Sequence, residues 1–384
     1  MTTSATLPNV AGTNPLKGLL EYGQSPWMDY IRRDLLTGGG LKKMIDEDGL
    51  RGMTSNPAIF EKSIVGSDLY SDILSSPDAK KLDAKGVYEK VAIRDVQDAC
   101  DIFKPIYQSA RRRDGFVSLE VSPYLANDTK GTLEEARRLW KAVGRDNLMV
   151  KVPATPEGIP AIRQLLEDGL NINITLLFAQ SAYEQVAEAF MSALEARALK
   201  KLDIDHIASV ASFFVSRIDT LVDSKIETML PSAAGDKKAL LASLEGKVAI
   251  ANAKLTYKKY QELYGSTRWK ALQAKGAQPQ RLLWASTSTK NKKYRDVLYV
   301  EELIGAETVD TIPPATFDAF RDHGKLRPSL TEDVAGAAQT MENLAKAGIS
   351  MKQVTDQLLT DGVKLFADAF KTLLDATGKS AGVR

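Results

Sequence analysis

Leu148-Met149-Val150-Lys151-Val152 is the stretch on which the reading of this chain turns. Four of its five residues are apolar, as in a strand buried on both faces of a parallel sheet. The exception, Lys151, stands near the C-terminal end. Runs of the same kind recur at Trp27–Tyr30, Gly52–Ser55, Phe116–Val121, Ile172–Leu176, Ile207–Ala211, Leu282–Ser286 and Thr308–Ile312. Together they make eight, most of them followed by a helical pattern. That alternation predicts an α/β fold with a parallel sheet covered by helices, and the count of eight favours a closed (β/α)8 TIM barrel over an open sheet.

The segments between the runs read as helices. Ser76-Pro77 has the form of an N-cap followed by proline at the first helical position, with Leu82, Val87, Tyr88, Val91 and Ile93 after it. Thr155-Pro156-Glu157 opens another helix, with Ile159, Ile162, Leu165 and Leu166 on one face and Gly169 closing it. Val186, Phe190 and Leu194 repeat at helical spacing in the next. Two long connections, near 60–114 and 218–280, carry apolar residues at helical spacing and predict inserted helices, not disorder. The segment 329–384 predicts further helices on the outside. No repeat, low-complexity tract or linker divides the chain, so one barrel domain over 1–384 is expected.

Composition narrows the function classes. With 51 basic and 49 acidic residues the net charge is +2, so no overall field favours nucleic acid or a membrane surface. Arg111-Arg112-Arg113 reads as a solvated helix end. One cysteine, Cys100, allows no internal disulfide, and only two histidines, His206 and His323, argue against a Cys/His metal site. Met1–Pro15 lacks the basic start and apolar run of a signal peptide, and no apolar stretch approaches a membrane span. A soluble cytoplasmic protein is expected. Monomer and homodimer both stay open.

The chemistry lies in what interrupts the strands. In a barrel, catalytic residues sit at the C-terminal strand ends, where Lys151 stands. An ammonium in an apolar interior is costly and tends to lose its proton, and a neutral amine is what attacks a ketone. Taken alone, a lysine at a strand end more often snorkels to solvent. Glu120 is likewise the one charged residue of its strand. It can relay protons, or simply form a buried ion pair with Lys151. Asn171, Asn173 and Thr175 alternate with Ile172, Ile174 and Leu176, so all three face one way. Facing inward, Asn173 and Thr175 can bond substrate hydroxyls or a catalytic water. Asn56, ahead of Pro57, is biased toward an extended conformation that could point it into the barrel mouth, although from pattern alone an ordinary Asn-Pro turn explains it better. Asp29 is a candidate base, with Asp34 its rival. For phosphate, Ser212 and Arg217 follow one strand, and Ser286 and Lys290 follow the next, where barrel enzymes often bind it. No glycine-rich nucleotide fingerprint occurs.

Taken together, Thr54-Ser55-Asn56-Pro57, Ser118-Leu119-Glu120-Val121, Val150-Lys151-Val152-Pro153-Ala154-Thr155, Asn173-Ile174-Thr175-Leu176-Leu177-Phe178 and Ser212-Phe213-Phe214-Val215-Ser216-Arg217-Ile218 resemble the transaldolases, in that family's order. Length and insertions are similar to the family's longer bacterial type. The resemblance implies that Lys151 forms a Schiff base and that Glu120 acts as acid and base through a water held by Thr175. It implies that Asp29 deprotonates a substrate hydroxyl and that Asn56 and Asn173 hold a dihydroxyacetone unit. Arg217, beside Ser212, would bind phosphate. Some members carry an arginine where this chain has Ser286–Asn291, and Lys290 or a neighbour stands in for it here. The implied partners are sugar phosphates: the unit would pass from sedoheptulose 7-phosphate or fructose 6-phosphate to glyceraldehyde 3-phosphate or erythrose 4-phosphate in the pentose phosphate pathway, with no metal or organic cofactor. Two alternatives remain: a Schiff-base aldolase of the fructose 6-phosphate aldolase kind, and a non-catalytic sugar-phosphate-binding barrel.

Overall fold

A computed structural model describes residues 14–64 and 67–383. Most of the Met1–Pro15 stretch read above lies outside them. Eight strands, β1 (Gln24–Asp29), β2 (Gly52–Thr54), β3 (Phe116–Glu120), β4 (Leu148–Pro153), β5 (Ile172–Leu177), β6 (Ser209–Phe214), β7 (Arg281–Ala285) and β8 (Thr308–Ile312), form a closed barrel in sequence order. All neighbours are parallel, and β8 closes the ring by pairing Gln24–Met28 with Thr308–Ile312. The (β/α)8 expectation is thus met. Strands β3 to β8 are buried from end to end, because side chains alternate between the barrel interior and the helix layer and neither side meets water.

Inside the barrel, the Trp27 indole lies over β2. A Cβ at Gly52 would stand 2.4 Å from that ring, so only glycine lets the ring fill the interior there. Outside, the helix Gly158–Asp168 buries Ile162, Leu165 and Leu166 and ends on Gly169 at φ +104°. Val186, Phe190 and Leu194 are fully buried on the helix Gln180–Leu199. The two long connections do contain helices: Pro57–Ile64 and Ala84–Ser109 in the first, Ser216–Met229, Gly235–Leu244, Val248–Tyr264 and Thr267–Gln273 in the second. Arg111 and Arg112 are exposed just beyond one of their ends.

Three details differ from the sequence reading. The predicted helix start at Ser76-Pro77 makes only a short turn, in which the Ser76 hydroxyl accepts from the Ala79 amide. Leu82 is extended, and the helix begins at Ala84, where Asp83 accepts from the Gly86 amide at 2.8 Å. The sixth strand runs from Ser209 to Phe214, not Ile207–Ala211, so Ser212 lies within the strand and not after it. The sequence reading sets Ser212 after that strand, but its hydroxyl donates inside the barrel to Asn173. Finally, the C-terminal segment is not wholly outside. Its long helix Met351–Ala381 brings Phe366 to the barrel mouth. Gly362 lets it approach, since a Cβ there would stand 3.0 Å from the Leu176 side chain.

Candidate active site

An open cavity of about 570 Å³ occupies the C-terminal mouth of the barrel. Strand pleating delivers one polar side chain after another to it: Asp29 ends β1, Thr54 ends β2, Lys151 lies on β4, Thr175 on β5 and Ser212 on β6, and Thr311 on β8. Glu120, Lys151 and Asn173 are direct register partners across β3, β4 and β5, so they share one level of the barrel. Lys151 does not snorkel outward. Only 5% exposed, its Nζ lies 3.3 Å from Glu120 Oε2, donates to the Ser55 carbonyl at 3.3 Å and sits 5.7 Å from the Phe366 ring centre. The enclosure is therefore not purely apolar, because a carboxylate shares it with the amine.

Glu120 stands behind Lys151, off the cavity wall. Burial pushes its carboxyl up, the Lys151 charge pulls it back, and Asp29 adds a smaller upward push. Thr175 lines the cavity, and its buried Oγ1 has no hydrogen-bond partner among the described residues. Asp29 accepts from Thr54 at 2.7 Å, and Thr54 in turn meets Thr311 at 2.7 Å. Burial deep in the mouth raises the Asp29 carboxyl, opposed by Lys151, Thr54, Arg217 and Lys290, although one face of the side chain opens onto the cavity. Its rival Asp34 is on the surface, paired with Arg32 at 2.6 Å, and does not reach the cavity.

The asparagines divide. Asn56 lines the cavity while its Oδ1 caps the following helix by accepting from the Ile59 amide at 3.0 Å, so the turn and pocket readings hold together. Asn173 is fully buried beneath the cavity, not on its wall. Its amide donates to Ser118 at 3.0 Å and its oxygen accepts from Ser212 at 2.6 Å, which makes a polar floor across β3, β5 and β6. Asn171 faces the opposite end, where it bonds backbone at Asp146, Leu148 and Ala208.

On one wall stand three cations. Arg217 packs its guanidinium 5.3 Å from the Phe214 ring centre and 5.9 Å from that of Phe366, and burial lowers its proton affinity. Lys290 is shifted down by partial burial and by the charges of Arg217 and Lys62. None of the three is in an ion pair among the described residues, and the acid that tempers their mutual repulsion is Asp29, whose charge acts on Arg217 and Lys290 across the cavity. Ser286 and Ser288 line the same wall. Ser286 sits at φ +57°, a strained conformation for a residue with a Cβ. Sequence reasoning missed Lys62, Ser288 and Phe366. Lys62 resembles any helix lysine, and Phe366 comes from a helix far along the chain, so neither carries a local signal. No group of three His, Cys, Asp or Glu side chains that could hold a metal occurs among the described residues.

Such a set can form an imine at Lys151, move protons through Glu120 and Asp29, and hold an anion on the cationic wall. The family described as transaldolase/fructose-6-phosphate aldolase matches residues 26–377. A transaldolase of Trichodesmium erythraeum is 48% identical over 368 residues, 95% of this chain and 97% of that protein. Transaldolase 2 of Nostoc punctiforme is 46% identical with the same coverage. A transaldolase of Thiobacillus denitrificans is 44% identical over 95% of this chain and 100% of its own. From Pro26 to Thr377, then, this chain belongs to the transaldolase/fructose-6-phosphate aldolase family of enzymes.

Proposed function

We propose that the protein transfers a dihydroxyacetone unit between sugar phosphates through a Schiff base on Lys151. The observation that carries this reading is Lys151 on the wall of a cavity that also holds Asp29 and a cationic wall, with Glu120 3.3 Å behind it. As a neutral amine, Lys151 attacks C2 of a ketose phosphate. Glu120 can hold the proton that the amine gives up, because burial favours its neutral form. Returned to the carbinolamine hydroxyl, that proton lets water leave and the iminium form. The water through which Glu120 works would be held by Thr175, whose Oγ1 is otherwise unpartnered. Asp29 takes the C4 hydroxyl proton, the C3–C4 bond breaks, and the electron pair moves into the iminium to give an enamine. The released aldose phosphate is replaced by another, whose carbonyl carbon the enamine attacks. Hydrolysis then frees the product.

Asn56 would hold the dihydroxyacetone hydroxyls from the wall, and Asn173 would support them from below. Arg217, Lys290 and Ser286, together with Lys62, would take the terminal phosphate, and Ser212, which donates its hydroxyl proton to Asn173, would act on the substrate by holding that side chain. Sedoheptulose 7-phosphate with glyceraldehyde 3-phosphate, giving erythrose 4-phosphate and fructose 6-phosphate, is the proposed pair. One barrel unit spanning the chain and a cytoplasmic location belong to the same proposal; no helix of the described residues is long and apolar enough to cross a membrane.

Borohydride reduction in the presence of fructose 6-phosphate tests the reading. Mass spectrometry should find the reduced three-carbon adduct on Lys151, and Lys151→Ala should carry none. An adduct elsewhere, or none with the native protein, would overturn it. The family description also covers fructose-6-phosphate aldolase. Release of free dihydroxyacetone without acceptor, as fast as transfer with one, would favour that activity.

A further inference from the structure

We propose that Asp310, acting through Thr287, is a positioning residue for the phosphate-binding loop that follows β7. The inference rests on the phosphate reading of the cationic wall. Asp310 lies on β8 between Val309 and Thr311. Thr311 faces the cavity, so strand alternation turns Asp310 outward, into the layer between barrel and helices. It is fully buried and in no ion pair, and its Oδ2 has no hydrogen-bond partner among the described residues. A carboxyl in such a place is costly, and an apolar residue of similar size would fill it at less cost. Its single hydrogen bond, accepted at Oδ1 from Thr287 Oγ1 at 3.0 Å, gives it a reason to be there.

Thr287 is itself fully buried, yet both its neighbours, Ser286 and Ser288, line the cavity. Ser286 holds the strained φ of +57°. Its carbonyl accepts from the Ser216 amide at 3.1 Å, and its hydroxyl meets that of Ser216 at 3.0 Å, one residue before Arg217. The Thr287–Asp310 bond therefore lies under a junction that sets Ser286, Ser288, Lys290 and the start of the Arg217 helix. Strain at Ser286 persists only if its surroundings enforce it, and Thr287 is the buried anchor beside it.

The Thr287 hydroxyl also lies 3.4 Å from the Thr311 carbonyl. With Asp310 ionised, its proton goes to Oδ1. With Asp310 protonated, the carboxyl donates to Oγ1 and the hydroxyl proton turns to Thr311. Either arrangement ties the loop to β8, and an amide at position 310 can imitate the second by donating through its NH2. Burial pushes the Asp310 carboxyl up to about 8, consistent with the protonated arrangement near neutral pH.

The test compares glyceraldehyde 3-phosphate with unphosphorylated glyceraldehyde as acceptors. Asp310→Ala and Thr287→Val should raise KM for the phosphorylated acceptor about tenfold. Their kcat should stay within about twofold of the native value, with KM for glyceraldehyde unchanged. Asp310→Asn should behave as the native enzyme. Equal losses with both acceptors, an unchanged KM, or Asp310→Asn failing as the alanine variant does would overturn the proposal. Thr287→Val keeps the volume and serves if Asp310→Ala does not fold. A native enzyme that shows no preference for the phosphorylated acceptor would instead count against the phosphate reading itself.

Discussion

At the scale of residues, the proposed chemistry turns on the pairing of Lys151 with Glu120. Buried together, they share one environment, and the carboxylate that stabilises an ammonium is also the group that can relieve it of its proton. Glu120→Gln keeps the shape and removes the proton acceptor. It should lower kcat by about 10²–10³-fold in single-turnover measurements of Schiff-base formation, while Lys151 still accepts the reduced adduct over long incubation. Lys62→Ala should act differently. Its ammonium is exposed and screened, so KM for phosphorylated substrates should rise only about 2–5-fold, with kcat unchanged and a weaker dependence of KM on salt. A third prediction concerns stability. Asp310 ionises near 3.8 in an unfolded chain and near 8 in the folded one. Between those values the folded state keeps a proton that the unfolded state has lost, so stability falls as pH rises from about 4 to about 8 and then levels off. Asp219, pushed up to about 7 by burial, adds to the same slope. Asp310→Asn should have a Tm above that of the native protein at pH 8 and equal to it at pH 4. Melting curves across that range check this, and a parallel pair of curves would refute it.

At the scale of elements, the C-terminal helix Met351–Ala381 is the part whose role was hardest to foresee. Its apolar face reads as ordinary cover, yet Phe366 reaches the Lys151 ammonium and the Arg217 guanidinium. On the proposed Schiff-base reading, the ring would shield the adduct at Lys151 from bulk water, which diverts it from transfer to hydrolysis. Phe366→Ala should therefore release more free dihydroxyacetone per transfer event, measured with fructose 6-phosphate and limiting acceptor. The variant should also lose about 2–4 kcal/mol of stability, since a nearly buried ring is removed. Other elements show what local signals can mislead. Ser76-Pro77 had the chemistry of a helix start, but Leu82 turns extended and Asp83 supplies the cap that counts. Ser212 looked like the end of an apolar run, and its place inside β6 depends on a partner, Asn173, 39 residues earlier.

Across the whole molecule the barrel has two ends with separate duties. The C-terminal mouth gathers the reactive side chains. At the opposite end Arg281 donates to Asp114 and Ser25, each at 2.8 Å, and Ser25 donates to Asp114 at 2.9 Å, which joins the starts of β1 and β7 to the residues before β3. Asp114→Ala would leave the buried Arg281 guanidinium uncompensated. It should cost about 3–5 kcal/mol by denaturant unfolding, without changing KM for any substrate.

The same division separates what was legible from what was not. Hydrophobic periodicity determined eight strands alternating with helices and favoured their closure into a barrel, and the single charged residues in apolar strands singled out Lys151 and Glu120. Those signals are local and repeat every two or 3.6 residues, while the order of the motifs, not the pattern, implied that the two work together inside. That Asp29 and not Asp34 lines the cavity, that Asn173 lies beneath it, and that Lys62 and Phe366 reach it were decided by tertiary structure alone. Each depends on which segments the closed barrel brings together, and a contact between residues tens to hundreds of positions apart leaves no trace in either one's local sequence.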